Sequence, residues 1–217
     1  MSEPVRRYGA IDHLFAEINH ALTTVFAKPS GTGRDDPAVD VERPVELTPA
    51  EQQHIGRLMR VNHAGEVAAQ ALYRGQRLFA RDPQVQTRMV RAAAEENDHL
   101  AWTAARLAEA DIPKSHLNPL WYSGAFTIGS VAALAGDKWS LGFVRETEEQ
   151  VVEHLEQHLE RMPSADTQGR AVLEQMQVDE ARHGEAAERA GAANLPAPIR
   201  GLMRLSAKVM TRTAYWV

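Results

Sequence analysis

Apolar residues recur at helical spacing from early in the chain. Ile11, Leu14, Phe15, Ile18, Leu22 and Val25 mark one face of an amphipathic helix over residues 10–26. Periodicity then lapses over residues 28–47, where Pro29, Gly31, Gly33, Pro37 and Pro44 sit among Asp and Arg, the composition of a flexible linker. A helix start follows, with Thr48 as N-cap, Pro49 at the first helical position and Glu51 closing a capping box. This helix is predicted to end before Asp82-Pro83, and a second, over roughly 84–110, before Asp111-Ile112-Pro113.

From Leu117 to Val144 the only formal charges are Asp137 and Lys138. This stretch reads either as a buried helix with its lead-in loop or as a segment that dips into a membrane, its uncharged part being near the lower limit of about 20 residues for a span. A third long helix is predicted from near Leu141 to Arg161, ended by Met162-Pro163, and a fourth from Thr167 to Ala190. After Pro196 and Pro198, Arg200, Arg204, Lys208 and Arg212 alternate with Leu202, Met203, Leu205, Val209 and Met210, and Tyr215 and Trp216 follow. Such a basic amphipathic helix with terminal aromatics suits a membrane interface, or else a charged outer helix of a bundle. The expected organisation is an N-terminal helix (1–27), a linker (28–47) and one helical domain (48–217) ending in the interfacial helix.

The chemistry lies within the four long helices. Glu96 and His99 stand three residues apart, as do Glu180 and His183, and each pair follows a lone helical glutamate, Glu66 or Glu148, at nearly the same interval. Each half thus reads as a hairpin giving one Glu and then one Glu-x-x-His, the ligand order of a ferritin-like bundle with a carboxylate-bridged pair of metal ions. Glu-x-x-His alone is weak, because Glu17/His20 and Glu51/His54 repeat it. At about 100° per residue, Glu17 and His20 fall opposite the apolar stripe of their helix and are expected to face water, and Glu51 is already used as a cap. Glu180 and His183 fall among Val172, Met176 and Ala187. Glu96 lines up with Met89, Ala93 and Leu100, with His99 on its flank, Glu148 with Leu141, Val144 and Leu155, and Glu66 with Met59, Ala69 and Tyr73. Four inward carboxylates left bare would repel one another and lose their hydration, so two divalent cations are the natural counter-charge.

Composition narrows the metal and the partners. The 217-residue chain is 44% hydrophobic and 24% charged, enough for one domain with a sizeable core. It has no cysteine, which excludes disulfides, thiolate zinc sites and cysteine-ligated clusters. An oxygen-rich set with two imidazoles suits iron or manganese. A net charge of -5 speaks against nucleic acid, and Glu3, Arg6 and Arg7 are followed by no apolar run of the kind found in a secretory signal.

The run Arg60-Val61-Asn62-His63-Ala64-Gly65-Glu66, with Glu96-Asn97-Asp98-His99-Leu100, Glu148-Glu149 and Asp179-Glu180…His183, closely resembles the demethoxyubiquinone hydroxylase family over about residues 50–217. The resemblance implies an all-α, ferritin-like four-helix bundle carrying two iron ions per subunit. Glu66 and His99 would bind one iron, Glu148 and His183 the other, and Glu96 and Glu180 would bridge both. Glu148 is chosen over Glu149, which points about 100° away. Glu95 and Asp179, which precede the bridging glutamates, would each orient the opposite histidine, Glu95 also reading as a surface charge. His154 is a candidate near the substrate or a polar residue at the bundle edge. Leu155 stands where some relatives have an aromatic residue.

The implied reaction is hydroxylation of a polyprenylated methoxy-methyl-benzoquinol by dioxygen. The chain has no dinucleotide fingerprint, so reducing equivalents would come from an external reductant or from the quinol. The implied setting is the cytoplasmic face of the inner cell membrane, held peripherally, with other ubiquinone-biosynthesis proteins as candidate partners. A ferroxidase or iron-binding bundle would share the six ligands, but has no need of the apolar 117–144 stretch or the basic tail.

Overall fold

The computed structural model describes residues 9–42 and 45–217. Glu3, Arg6, Arg7 and Pro44, used above, lie outside them. Among the described residues all regular structure is helical: α1 (Ala10–Phe26), α2 (Pro49–Phe79), α3 (Pro83–Glu109), α4 (Asn118–Leu134), α5 (Asp137–Arg161), α6 (Thr167–Arg189) and α7 (Ala197–Ala214). This is the expected all-α class. The start of α2 uses the expected box, with Thr48 N donating to Glu51 Oε2 at 2.8 Å and Glu51 N donating to Thr48 Oγ1 at 3.3 Å.

Two hairpins, α2–α3 and α5–α6, make the bundle. Their facing sides carry two apolar clusters. One contains Leu58, Met59, Leu107, Leu155, Leu173 and Met176, and the other Tyr73, Val85, Met89, Leu141, Val144 and Ala187. On every bundle helix the inward glutamate falls in sequence between these two groups, so the polar centre is a layer between two apolar plugs.

The 117–144 stretch is divided by Gly136, whose φ of 116° turns the chain from α4 into α5. α4 lies along α2, its inner face of Asn118, Tyr122, Gly129 and Ala133 buried and its outer Leu120, Ile128, Val131 and Leu134 exposed. Close approach depends on glycine: a Cβ on Gly129 would run into the Leu72 carbonyl, and one on Gly75 into that of Phe126. No helix among the described residues is long and apolar enough to cross a membrane.

Two differences from the sequence reading concern the outer elements. In α1 the apolar stripe of Ile11, Leu14, Phe15, Ile18 and Leu22 is exposed, and Glu17 and His20 face the protein. Glu17 pairs with Arg74 at 2.6 Å and His20 Nδ1 lies 3.0 Å from the Tyr122 hydroxyl, so ion pairing and hydrogen bonding orient this helix. The expected flexible linker is irregular, yet its described residues are fastened to the bundle. Thr32 bonds Asp98, Arg34 bonds Asp179, and Ala38 is buried in the core. α7 is anchored through its last turn. Arg60 Nε donates to the Ala214 carbonyl at 2.8 Å and Arg60 Nη2 to that of Tyr215 at 2.7 Å, while Leu202, Leu205 and Val209 stay exposed.

The helix contact gives a test. Gly129→Ala should lower stability by about 1–3 kcal/mol through overpacking. Gly124→Ala, at a site with nothing within 4 Å, should raise it by up to about 1 kcal/mol through helix propensity. Urea unfolding of both variants checks the pair; equal effects would mean that α4 does not rest on α2 as described.

Candidate metal centre

The lone glutamates come from α2 and α5 and the Glu-x-x-His pairs from α3 and α6, so each hairpin supplies half of the centre. Residues three apart on a helix share a face, which brings His99 Nδ1 within 3.0 Å of Glu96 Oε2 and His183 Nδ1 within 3.1 Å of Glu180 Oε2. The halves interlock: His99 Nδ1 is 3.2 Å from Glu180 Oε1, and His183 Nδ1 is 3.4 Å from Glu96 Oε1. Two groups result, Glu66, Glu96, His99 and Glu180, and Glu96, Glu148, Glu180 and His183, each offering donor atoms within 4.8 Å of one another. Glu96 and Glu180 belong to both groups.

All six residues singled out from the sequence are thus brought together. The four glutamates are only 1–4% exposed. Glu66 Oε2 and Glu96 Oε1 have no hydrogen-bond partner, as expected of donor atoms shaped for a cation. Electrostatics agree. Burial raises Glu66 well above the usual carboxylate range, and it raises Glu148 likewise, with Glu180 and Glu96 adding repulsion. Burial also acts on Glu96, but contact with His183 and His99 outweighs it and holds this carboxyl below its usual range. Burial opposes charge on the imidazoles, yet the surrounding carboxylates win, raising His99 well above its usual value and His183 to about 12. The same field that favours protons on these imidazoles would favour divalent cations, whose binding would displace the protons.

The outward imidazole nitrogens are also held. His99 Nε2 lies 3.0 Å from Asp179 Oδ2, and His183 Nε2 lies 3.1 Å from Glu95 Oε2. Each contact crosses between α3 and α6, so Glu95 and Asp179 stand at the opposite histidine. Glu149 is exposed and pairs with Arg145 at 3.4 Å. His154 is not among the carboxylates. Its ring lies 3.9 Å from that of His158, both buried enough for desolvation to lower their pKa values, to about 4 and about 2. Of the decoys, Glu51 caps α2 and His54 Nδ1 meets the Tyr215 hydroxyl at 2.7 Å.

Sequence reasoning passed over Tyr73, whose hydroxyl donates to Glu148 Oε1. The signal was there: Tyr73 follows Glu66 by two turns on the same face, but its ring was counted only as apolar. Arg182, inside the second Glu-x-x-His, reaches both Glu95 and Asp179. A cleft of about 260 Å³ reaches His183 and Tyr73; Met89, Leu141, Val144 and Ala187 line its apolar part, and Arg88, Arg91, Glu95 and Arg182 line it too. Another of about 200 Å³, lined by His20, Gln70, Tyr73, Met89, Ala93 and Asn97, adjoins the far side of Tyr73.

Comparison with known proteins gives the same direction. The chain is 51% identical to a 3-demethoxyubiquinol 3-hydroxylase of Nitrosococcus oceani, covering 98% of this chain and 99% of that one. Proteins of the same name from Xanthomonas oryzae pv. oryzae and Cupriavidus pinatubonensis are 50% and 54% identical, over 99% and 94% of this chain and 98% and 99% of theirs. Residues 53–214, which contain every member of the centre, match the family described as Ubiquinone biosynthesis protein COQ7, and the chain belongs to that family.

Proposed function

We propose that this chain is a di-iron monooxygenase that hydroxylates the ring of a polyprenylated demethoxyubiquinol at the membrane surface. The observation that carries the reading is the buried pair of interlocked Glu and Glu-x-x-His sets in a chain about half identical to named 3-demethoxyubiquinol 3-hydroxylases. The donor set fits the metal: four carboxylates and two imidazoles match a hard-to-borderline cation with open positions. His99 and Glu66 would hold one iron, His183 and Glu148 the other, and Glu96 and Glu180 both. The chemistry such a pair supplies is activation of dioxygen, so that one oxygen atom enters the ring and the other leaves as water at the expense of an external reductant.

The chain's own groups do the rest. Asp179 and Glu95 fix the imidazoles so that each Nδ1 points inward. The Tyr73 hydroxyl holds Glu148, and its pKa, raised well above the phenol range chiefly by burial and then by Glu148, keeps its proton in place. The apolar plugs exclude water. The cleft between Tyr73, Met89, Leu141 and His183 is the access we assign to the quinol ring.

A polyprenyl substrate partitions into a bilayer, and α1, α4 and α7 all pack against α2 with apolar side chains left outward. On α1 these are Ile11, Leu14, Phe15 and Leu22, on α4 Leu120, Val131 and Leu134, and on α7 Leu202, Leu205 and Val209, with Trp216 just beyond its end. Exposed apolar stripes of this extent mark a binding surface, and the Arg200, Arg204, Lys208 and Arg212 face of α7 adds attraction to anionic lipid. These features support a peripheral membrane protein, and the cytoplasmic side of the inner membrane is the location we assign to it.

Glu96→Ala or Glu180→Ala should leave less than about half the iron of the parent, because each carboxylate serves both ions. Glu51→Ala and Glu17→Ala should keep it all; elemental analysis decides, and equal loss from all four would sink the assignment. Purified protein with a chemical reductant should convert a short-chain demethoxyquinol to its hydroxylated product with incorporation of ¹⁸O from labelled dioxygen. Iron oxidation without product would favour a ferroxidase. Changing Arg200, Arg204, Lys208 and Arg212 together to Gln should shift the protein towards the soluble fraction, at about 1 kcal/mol per charge, with metal content unchanged. Full retention on membranes would mean that the basic face of α7 is not what holds the protein there.

A further inference from the structure

The two histidines of the centre are held unequally. His183 Nε2 faces Glu95, whose side chain is 32% exposed and is paired with Arg182. His99 Nε2 faces Asp179, 2% exposed and ringed by donors: Arg34 Nη2 at 2.8 Å on Oδ2, with Arg182 Nη2 at 2.9 Å and Gln175 Nε2 at 3.2 Å on Oδ1. Arg182 serves both acids, whereas Arg34 serves only the His99 side.

Arg34 comes from outside the bundle, from the irregular segment between α1 and α2. Its placement is built in. Thr32 N and Oγ1 donate to the two oxygens of the buried Asp98, at 2.5 and 2.7 Å. Gly31 lies so close that a Cβ there would meet Asp98 Oδ1. The Arg34 guanidinium sits 5.0 Å from the centre of the Trp102 ring, Ala38 is 1% exposed in the core, and Gln168 Nε2 donates to the Val41 carbonyl at 2.9 Å. The segment is therefore a strap across α3 and α6, the two helices that carry Glu-x-x-His.

We propose that Arg34 is a positioning residue of the centre and that the strap makes the two metal positions unequal, the His99 position taking the first and tighter ion. The reason is pre-organisation. A buried aspartate fixed by three donors besides the imidazole keeps that imidazole aimed with Nδ1 inward before any ion arrives. The opposite histidine depends on a partly exposed glutamate with more rotatable bonds, and ordering that side chain costs conformational entropy on binding. Arg34 also draws some charge from Asp179, which weakens its pull on the imidazole, but the gain in fixed geometry acts on the His99 position alone. The inference rests on the two-ion reading above and on nothing about the substrate.

The test is titration of the metal-free full-length protein with Co²⁺, followed by calorimetry and by the visible bands of the bound ion. The parent should bind in two steps, with His99→Ala removing the tighter one. Arg34→Gln should weaken that step about tenfold and leave the other where it was, with helix content unchanged. Arg34→Lys should recover part of the loss, since it keeps the charge without the two-pronged guanidinium. Asp179→Asn added to Arg34→Gln should cost less than the sum of the two single changes, as residues acting through one route do. Wild-type behaviour of Arg34→Gln, or equal weakening of both steps, overturns the proposal. Should Arg34→Gln fail to fold, Arg34→Lys decides by the same criterion, one step shifted against none or both. A parent chain that binds no cobalt would contradict the two-ion centre itself, whereas two clean steps with an unselective Arg34 variant would overturn only this inference.

Discussion

Four carboxylates buried within reach of one another dominate the energetics of this bundle. Glu66, Glu96, Glu148 and Glu180 lie in a layer with apolar side chains above and below, where an uncompensated charge costs several kcal/mol even after the protein relaxes. Much else follows from supplying positive charge to that layer. Two imidazoles point their Nδ1 atoms into it, two acids fix those imidazoles from outside, and Arg182 and Arg34 balance the acids. The arrangement alternates in sign from the middle outward, with each layer oriented by the next. The layer has the donor set of a metal site, and its negative charge also favours protons on His99 and His183.

The bundle helices and their six inward residues were legible because two periodicities coincide there. An i, i+3 ligand pair and a 3.6-residue apolar stripe both require the same face of the same helix, so Glu96/His99 and Glu180/His183 declare their direction without tertiary information. α1 shows where that logic stops. Its stripe is as regular as the others, but periodicity says only that one face is apolar, not whether protein or lipid covers it. Arg74 and Tyr122 turn that face away from the protein by holding Glu17 and His20 against the bundle. The strap was invisible for a different reason. Thr32 and Arg34 find partners far along the chain, in Asp98 and Asp179, and no local pattern encodes such pairings. Tyr73 carried a signal that was misread, since a tyrosine on an apolar face buries its ring and still presents a hydroxyl at the tip.

Centre and surface are linked through α2. This helix contributes Glu66 and Tyr73 to the metal layer, supports α4 on its outer side through Gly75 and Gly129, and holds the end of α7 through Arg60. The Arg60-to-Glu66 run that carries the family resemblance thus joins the α7 anchor to the first metal-facing residue within two helical turns.

The central claim is that two cations share Glu96 and Glu180, with one histidine on each side. Anomalous diffraction at the iron edge from crystals of the iron-reconstituted protein tests it most directly. The account predicts two separate iron peaks between α3 and α6, each next to one histidine Nδ1 and both within bonding distance of Glu96 and Glu180. A single peak, or iron bound away from these carboxylates, would contradict it.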